Sequence, residues 1–217
     1  MTASSRASNR RSARKQEKRE IVTTGSTAIS RNKKRHFTEN EGSRGWVIVY
    51  TGEGKGKTTA SLGIALRAAG HDMKVCMIQY VKGSWFSGEL KSSQLLAPNF
   101  RIIPAGEGFI GIIDDKKTLS QHIAAAREAL RASEKIISSG VYDIVILDEV
   151  NYAVNRNLIG VRAVLRLIRR KPMHVCVVLT GRGAPAPIIE AADLVTEMRK
   201  IKHPYDKGMR ARKGTDF

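Results

Sequence analysis

Apolar runs and amphipathic stretches alternate along the chain from about residue 44 onward. Six apolar runs predict strands, at Trp46–Thr51, Lys74–Tyr80, Phe100–Pro104, Tyr142–Leu147, His174–Thr180 and Leu194–Met198. The segments between them predict helices, at Lys57–Ala69, Gly88–Ala97, Thr118–Ser139, Val161–Arg170 and Ala186–Ala192. Continuous apolar strands are typical of a parallel sheet that is covered on both faces. The order therefore predicts a doubly wound α/β fold with one mainly parallel sheet of about six strands.

The first predicted strand leads into a glycine-rich loop with the sequence Gly52-Glu53-Gly54-Lys55-Gly56-Lys57-Thr58-Thr59. Glycines allow backbone N–H groups to turn inward around an anion, Lys57 can reach phosphates, and the Thr58 hydroxyl can bind Mg²⁺. The usual phosphate-loop pattern places its first glycine where this chain has Thr51. We therefore predict a variant P-loop in a RecA-like nucleotide-binding fold, with ATP and Mg²⁺ or Mn²⁺ as ligands.

Polar residues follow the other predicted strands. Ligands of doubly wound sheets bind beyond the carboxyl ends of the strands, so these residues should share one crevice. Asp148 and Glu149 follow an apolar strand and are the natural ligands for a divalent cation beside phosphates. Arg182 lies in a glycine-flanked turn and could bind a phosphate, a carboxylate or a carboxamide, or form a structural salt bridge. Trp85 and Phe109 lie in loops at the same end, where they could cover a flat apolar ligand.

The charge distribution separates the two ends of the chain from its centre. The formal net charge is +18, from 38 Lys and Arg against 20 Asp and Glu. Much of the excess lies in the first 45 and the last 20 residues, so a nucleic-acid surface on the folded domain is not expected. We expect residues 1–43 to form a mobile basic arm. Residues 44–217 should form one domain, in which the C-terminal tail, residues 202–217, lies across the site.

Membrane and secretory signals are missing from the sequence as given. No stretch approaches the apolar length of a membrane span, and the first 29 residues lack the apolar middle region of a secretory signal. We therefore expect a cytoplasmic protein with no membrane partner. Cys76 and Cys176 fall in predicted core strands, which favours reduced, buried thiols.

Taken together in chain order, these motifs resemble the P-loop type of ATP:corrinoid adenosyltransferase over residues 44–217. The resemblance rests on Gly52–Thr59, Gln79 with Lys82–Trp85 and Gly88-Glu89, Gly106–Phe109, Leu147–Glu149, Leu179–Gly183 and Lys202–Gly214. It implies that the Co(I) centre of a reduced corrinoid attacks the 5′-carbon of ATP and expels intact triphosphate, in adenosylcobalamin synthesis or corrinoid salvage. It also implies a homodimer, and a flavoprotein reductase that supplies the electron.

The same resemblance assigns a role to each candidate site residue. The nucleotide-binding set is Gly52, Glu53, Gly54, Lys55, Gly56, Lys57, Thr58, Thr59, Arg182 and Lys202. The corrinoid-binding set is Gln79, Lys82, Trp85, Glu107, Phe109 and Asn151. The metal ligands are Thr58, Asp148 and Glu149, and the catalytic residues are Lys57, Thr58 and Phe109. Phe109 should help remove the lower axial ligand from cobalt. Many relatives have tryptophan two residues later, where this chain has Gly111, so the way that this ligand is displaced stays open.

Two other functions stay open on the residues alone. A P-loop ATPase or small-molecule kinase would transfer the γ-phosphoryl group to water or to a small acceptor. A nucleotide-dependent nucleic-acid binder would account for the positive charge and would show steep salt dependence. Because the charge is concentrated near the chain ends and aromatic residues make up only 6% of the chain, the nucleic-acid binder is the least favoured of the three.

Overall fold

The structure, a computed structural model, describes residues 44–83, 87–110 and 117–216. The strands in this part are β1 (Val47–Thr51), β2 (Val75–Gln79), β3 (Phe100–Pro104), β4 (Ile144–Asp148), β5 (Cys176–Thr180) and β6 (Leu194–Glu197). The helices are α1 (Lys57–Ala69), α2 (Gly88–Leu95), α3 (Leu119–Ser138), α4 (Val150–Asn155), α5 (Val161–Arg170) and α6 (Ala186–Glu190). A short 3₁₀ helix, Pro204–Lys207, follows in the C-terminal tail.

The strands form one parallel sheet in the order β3-β2-β4-β5-β1-β6. β4 lies between β2 and β5, and all five of its residues are buried. A strand with neighbours on both sides and helices on both faces has no solvent-facing position, so its side chains are apolar up to Asp148 at its carboxyl end. The predicted doubly wound, parallel sheet of about six strands is confirmed.

Helices cover both faces of the sheet, and each face has its own core. On one face, Ala65 and Ala68 of α1 pack with Met77 and Ile146 of the sheet. On the other face, side chains of α3, α4 and α5 pack against β2, β4 and β5 in a larger cluster. None of the described helices has the length and apolar character required to cross a membrane.

The structure differs from the predicted elements mainly after β4. No helix is predicted between β4 and α5, but α4 begins at Val150, directly after the strand. Glu149 has a left-handed backbone with φ of 61°, which turns the chain from strand into helix within one residue. A helix of six residues is too short to show a clear 3.6-residue period. α2 ends at Leu95, two residues earlier than predicted, because Pro98 disfavours helix in the residue before it.

Both cysteines are free thiols within the sheet. Cys76 is fully buried in β2, as predicted. Cys176 is only half-buried, because β5 begins there rather than at His174. Its Sγ accepts a hydrogen bond from the backbone N–H of Trp46 at 3.3 Å.

Candidate active site

The glycine-rich loop joins β1 to α1 and is held against the chain that leaves β6. Gly52 and Gly56 have φ angles of 95° and 111°, which L side chains rarely adopt. A Cβ atom on Gly54 would lie 2.7 Å from the carbonyl oxygens of Met198 and Arg199. The N–H of Gly54 also donates to the oxygen of Met198 at 2.6 Å. The loop therefore needs two glycines for its conformation and a third for close approach to the neighbouring chain.

Thr51 stands where the usual phosphate-loop pattern has glycine, and it ties the loop to the adjacent strand end. Its hydroxyl accepts a hydrogen bond from the N–H of Ala184 at 3.0 Å. Ala184 follows β5, which pairs with β1 in the sheet. The variant residue therefore makes a side-chain bond that glycine could not make.

Lys57 begins α1, and its side chain turns back over the loop. Its Nζ donates to the backbone oxygens of Gly52 and Gly54, each at 2.7 Å. Burial lowers the pKa of Lys57, and the nearby carboxylate of Glu149 partly offsets this effect. The structure therefore places a buried ammonium group inside the loop, which is the feature that phosphate binding requires.

The end of β4 meets the start of α1 and the end of β5. Asp148 Oδ1 accepts hydrogen bonds from the hydroxyls of Thr58 and Thr180, each at 2.8 Å. Asp148 is fully buried, and this burial raises its pKa although both hydroxyl bonds oppose the shift. Thr180 also accepts a hydrogen bond from the N–H of Glu149 at 2.9 Å. The strand-end rule placed the turn that begins at Thr180 in the crevice, but Thr180 itself was given no role among the predicted site residues.

Glu149 adds a second carboxylate beside Asp148. Burial and the charge of Asp148 raise the pKa of Glu149 to about 7, and Lys57 opposes the shift. The described residues contain no group of three or more His, Cys, Asp and Glu side chains that could hold a metal ion. The oxygen donors nearby are the carboxylate of Asp148, the Thr58 hydroxyl that bonds to it, and the carboxylate of Glu149, which feels the charge of Asp148.

A second group of polar residues lies between the carboxyl end of β2 and the first turn of α2. Gln79 is buried beside Asp148, and its Nε2 lies 3.5 Å from Asp148 Oδ2. The same Nε2 donates a hydrogen bond to Glu89 Oε1 at 3.3 Å. Lys82 forms an ion pair with the same Glu89 oxygen. Burial, the largest single effect, would raise the pKa of Glu89. The hydrogen bond and charge of Lys82, with hydrogen bonds from the backbone and from Ser87, together outweigh burial, so the pKa is lowered. Glu89 was not predicted as a site residue, because its contacts with Gln79 and Lys82 become visible only in the fold.

Phe109 is an exposed aromatic side chain near this group. The residue is 37% exposed, and its ring packs edge-on against Tyr152 with centroids 5.4 Å apart. The guanidinium of Arg156 lies 5.4 Å from the same Tyr152 ring. Glu107 forms an ion pair with Lys117 at 3.1 Å. Tyr152, from the unpredicted helix α4, is therefore the support of the Phe109 ring.

Asn151 is fully buried at the start of α4. Neither the nitrogen nor the oxygen of its side-chain amide has a hydrogen-bond partner within the described residues. The Oε1 atom of Gln79 also has none there. The predicted contribution of Asn151 to corrinoid binding stays a prediction. Trp85 and Gly111 lie outside the described residues.

The remaining nucleotide-binding candidates differ in their contacts. Arg182 forms an ion pair with Glu53 at 3.0 Å, and Lys55 forms one with Asp216 of the C-terminal tail. Thr59 is exposed on the first turn of α1. Lys202 is exposed, and the structure shows no hydrogen bond or ion pair between it and another described residue.

Comparison with known proteins identifies the family. A model of the family described as ATP:corrinoid adenosyltransferase BtuR/CobO/CobP matches residues 43–217. The corrinoid adenosyltransferase of Escherichia coli strain K12 is 36% identical over 174 residues, which cover 80% of this chain and 86% of that protein. The corrinoid adenosyltransferase of Pseudomonas aeruginosa PAO1 is also 36% identical, with 80% of this chain and 84% of that protein covered.

A solved structure supports the fold independently of these relatives. The flagellar accessory protein FlaH from Methanocaldococcus jannaschii aligns over 71% of each chain, with a TM-score of 0.50 and 13% identity. At that identity the likeness shows the fold alone. The family follows from the sequence relatives: the chain belongs to the BtuR/CobO/CobP family of ATP:corrinoid adenosyltransferases.

Proposed function

We propose that this protein transfers the 5′-deoxyadenosyl group of ATP to the Co(I) centre of a corrinoid and releases triphosphate, in adenosylcobalamin synthesis or corrinoid salvage. The family match carries this proposal, because it spans the whole described domain. The geometry supports it. The phosphate loop, the acidic end of β4 and the polar group after β2 all lie at the carboxyl ends of strands in the same parallel sheet.

The phosphate loop serves the leaving group. When cobalt attacks the 5′-carbon, negative charge develops on the departing triphosphate. The ammonium group of Lys57 and the inward N–H groups of the loop would stabilise that charge, and Lys55, Arg182 and Lys202 would add positive potential. Co(I) is itself the nucleophile, so the protein needs no general base and acts by alignment and charge stabilisation.

Thr58, Asp148 and Glu149 would hold Mg²⁺ or Mn²⁺ beside the phosphates. Hydroxyl and carboxylate oxygens are the donors that such hard cations prefer, and Mg²⁺ usually combines one or two carboxylates with substrate phosphates. Burial opposes the ionised form of Glu149, and a bound cation would favour it. A bound cation supplies charge neutralisation on the triphosphate.

The corrinoid would occupy the side of the crevice next to Phe109. The exposed ring, supported by Tyr152, is suited to lie against the corrin plane and to help remove the lower axial ligand. The other residues that we propose to contact the corrinoid are the aromatic Trp85 and the polar Gln79, Lys82, Glu107 and Asn151. The electron that converts Co(II) to Co(I) would come from a flavoprotein reductase.

We propose three features of the whole protein on the same basis. The enzyme works in the cytoplasm, it forms a homodimer, and residues 44–217 form its catalytic domain; the predicted basic arm, residues 1–43, lies outside the described residues. Light scattering on the full chain tests the homodimer. It should give the mass of two chains, and the mass of one chain would contradict the dimer.

A blocked ATP analogue tests the reaction class. Adenosine 5′-(β,γ-methylene)triphosphate keeps the 5′-carbon and the charge of ATP but cannot be cleaved between the β- and γ-phosphorus atoms. Mixed anaerobically with the protein, Mg²⁺ and chemically reduced Co(I) corrinoid, it should still produce the absorption change of Co–C bond formation. If ATP were instead split to ADP and phosphate, and the analogue gave no adenosylated corrinoid, the protein would be an ATPase or kinase.

A further inference from the structure

Residues 198–216, which we call the return segment, begin and end at the phosphate loop. The segment starts where the oxygen of Met198 accepts the 2.6 Å hydrogen bond from Gly54. It continues through the 3₁₀ helix Pro204–Lys207 and a left-handed Gly208 with φ of 70°. It ends with an ion pair between Asp216 and Lys55. The segment therefore forms a strap whose two ends are fixed to the same loop.

Local hydrogen bonds hold the Asp216 carboxylate in place. Its Oδ2 accepts from the backbone N–H of Arg212 at 2.7 Å and from the Thr215 hydroxyl at 3.2 Å. The Asp216 side chain is only 21% exposed, whereas that of Lys55 is 49% exposed. The carboxylate is therefore already oriented when it contacts Lys55, and the lysine is accessible from the other side.

The charges of the return segment make this contact unusual. The segment contains seven Lys and Arg residues but only two acids, Asp206 and Asp216. Asp206 pairs with Lys200 of the same segment at 2.9 Å, so its charge stays within the strap. Asp216 instead places a carboxylate on the phosphate loop, and carboxylate and phosphate oxygens are equivalent acceptors for a lysine ammonium group. Asp206 therefore pairs within the return segment, whereas Asp216 pairs with Lys55 of the phosphate loop, which a polyphosphate could also bind.

We propose that Asp216 and the triphosphate of ATP compete for Lys55, so that nucleotide binding releases the end of the return segment. This inference rests on the proposed function, because it requires ATP to bind in this loop. Asp216 thereby acts as an internal competitor of the triphosphate. The strength of its ion pair with Lys55 sets how much of the nucleotide's binding energy is used to release the end of the return segment.

The Asp216→Asn variant tests this competition. It keeps the shape and most hydrogen bonds of the side chain but removes the charge that holds Lys55. Because partly exposed ion pairs contribute modestly, the dissociation constant of ATP with Mg²⁺ should fall by about two- to fivefold. Isothermal titration calorimetry on the full chain, without corrinoid, measures this directly, and thermal unfolding shows whether each variant is folded.

Asp206→Asn is the matched control. It removes the same charge from the same segment, so any general increase in attraction for ATP is common to both variants. ATP should bind to the Asp206→Asn variant with an affinity close to that of the wild-type protein. In a Lys55→Ala background the two substitutions should have equal effects, because the competing contact no longer exists.

The outcomes separate this inference from the function on which it rests. A lower dissociation constant for Asp216→Asn alone, lost in the Lys55→Ala background, would support the competition. Normal ATP binding with no difference between the two variants, or weaker binding by Asp216→Asn, would overturn the competition and leave the proposed function standing. Failure of every folded variant and of the wild-type protein to bind ATP would overturn both.

Discussion

In the phosphate-loop half of the candidate site, Lys57 and Thr58 donate hydrogen bonds of 2.7 and 2.8 Å to neighbouring groups of the same half. In the other half, Oε1 of Gln79 at the end of β2 and both amide atoms of Asn151 at the start of α4 are buried without a partner among the described residues. We propose the first half for the nucleotide and the second for the corrinoid, and call them the nucleotide half and the corrinoid half. Lys57 and Thr58 bond within the nucleotide half, whereas these three buried atoms of the corrinoid half have no partner among the described residues.

This difference shows where each half obtains its geometry. The loop is fixed by backbone contacts, by glycines with positive φ and by the packing of Gly54 on Met198. An unpartnered buried polar group costs about 1–3 kcal/mol, so a ligand whose polar edges bonded to these atoms would gain binding energy there. We therefore expect substitutions in the first half to act on the chemistry, and substitutions in the second half to act on corrinoid binding.

Removing Lys57 is the strongest test of the nucleotide half. Lys57→Ala should lower kcat/KM for adenosyl transfer by about 10²–10³-fold, the loss typical of a group that stabilises developing negative charge. Lys74→Ala is the matched control, because Lys74 is exposed just before β2, at the opposite end of the strand from the candidate site. Near-normal turnover by a folded Lys57→Ala protein would refute the phosphate-loop assignment.

A substitution at Thr180 tests whether the hydroxyl of Thr180, on the neighbouring strand β5, stabilises the acidic end of β4. Thr180→Val removes the hydroxyl that contacts Asp148 and Glu149, so the free energy of unfolding should fall by about 1–3 kcal/mol. Thr196→Val on the exposed edge strand β6 should have little effect. Urea denaturation compares the two variants, and equal stabilities would show that the Thr180 hydroxyl is unimportant.

Phe109 tests the corrinoid half. Phe109→Ala should raise the KM for corrinoid by about tenfold, which corresponds to the loss of one aromatic contact, and the KM for ATP should not change. Tyr152→Phe is the control, because it keeps the ring that supports Phe109. A parallel rise of both KM values would mean that Phe109 does not belong to the corrinoid half alone.

Glu89 gives the smallest expected effect, and it depends on pH. The pKa of Glu89 is lowered in the folded protein, so its ionised carboxylate stabilises the fold above the unfolded pKa of about 4.3. Glu89→Gln should therefore cost about 1 kcal/mol at pH 7. The difference from wild type should disappear as the pH falls through the folded pKa. Glu128→Gln, at an exposed ion pair, should show no such profile, and a pH-independent difference for Glu89→Gln would contradict the account.

The fold was largely predictable because its signals are local. Buried parallel strands must be apolar, and the bounds of α1 and α5 agree with the predicted Lys57–Ala69 and Val161–Arg170. Helix α4 was missed because the turn at Glu149 depends on a left-handed backbone that the residue type does not indicate. Tyr152, which supports Phe109, was missed together with that helix.

The site was predictable only where one motif contains its parts. The loop from Gly52 to Thr59 is contiguous, and the rule for strand ends connects it with Asp148. The contact of Glu89 with Lys82 and that of Asp216 with Lys55 join residues whose spacing carries no recognised signal. Such pairs are set by tertiary packing, so the structure was needed to find them.

The fate of ATP in a single turnover tests the central claim most directly. ATP labelled with ¹⁴C in the adenine and with ³²P at the γ-position would be mixed anaerobically with excess protein and Co(I) corrinoid in the presence of Mg²⁺. The account predicts equal amounts of ¹⁴C in the corrinoid and ³²P in intact triphosphate. Recovery of ¹⁴C in ADP and ³²P in orthophosphate, with no labelled corrinoid, would contradict it.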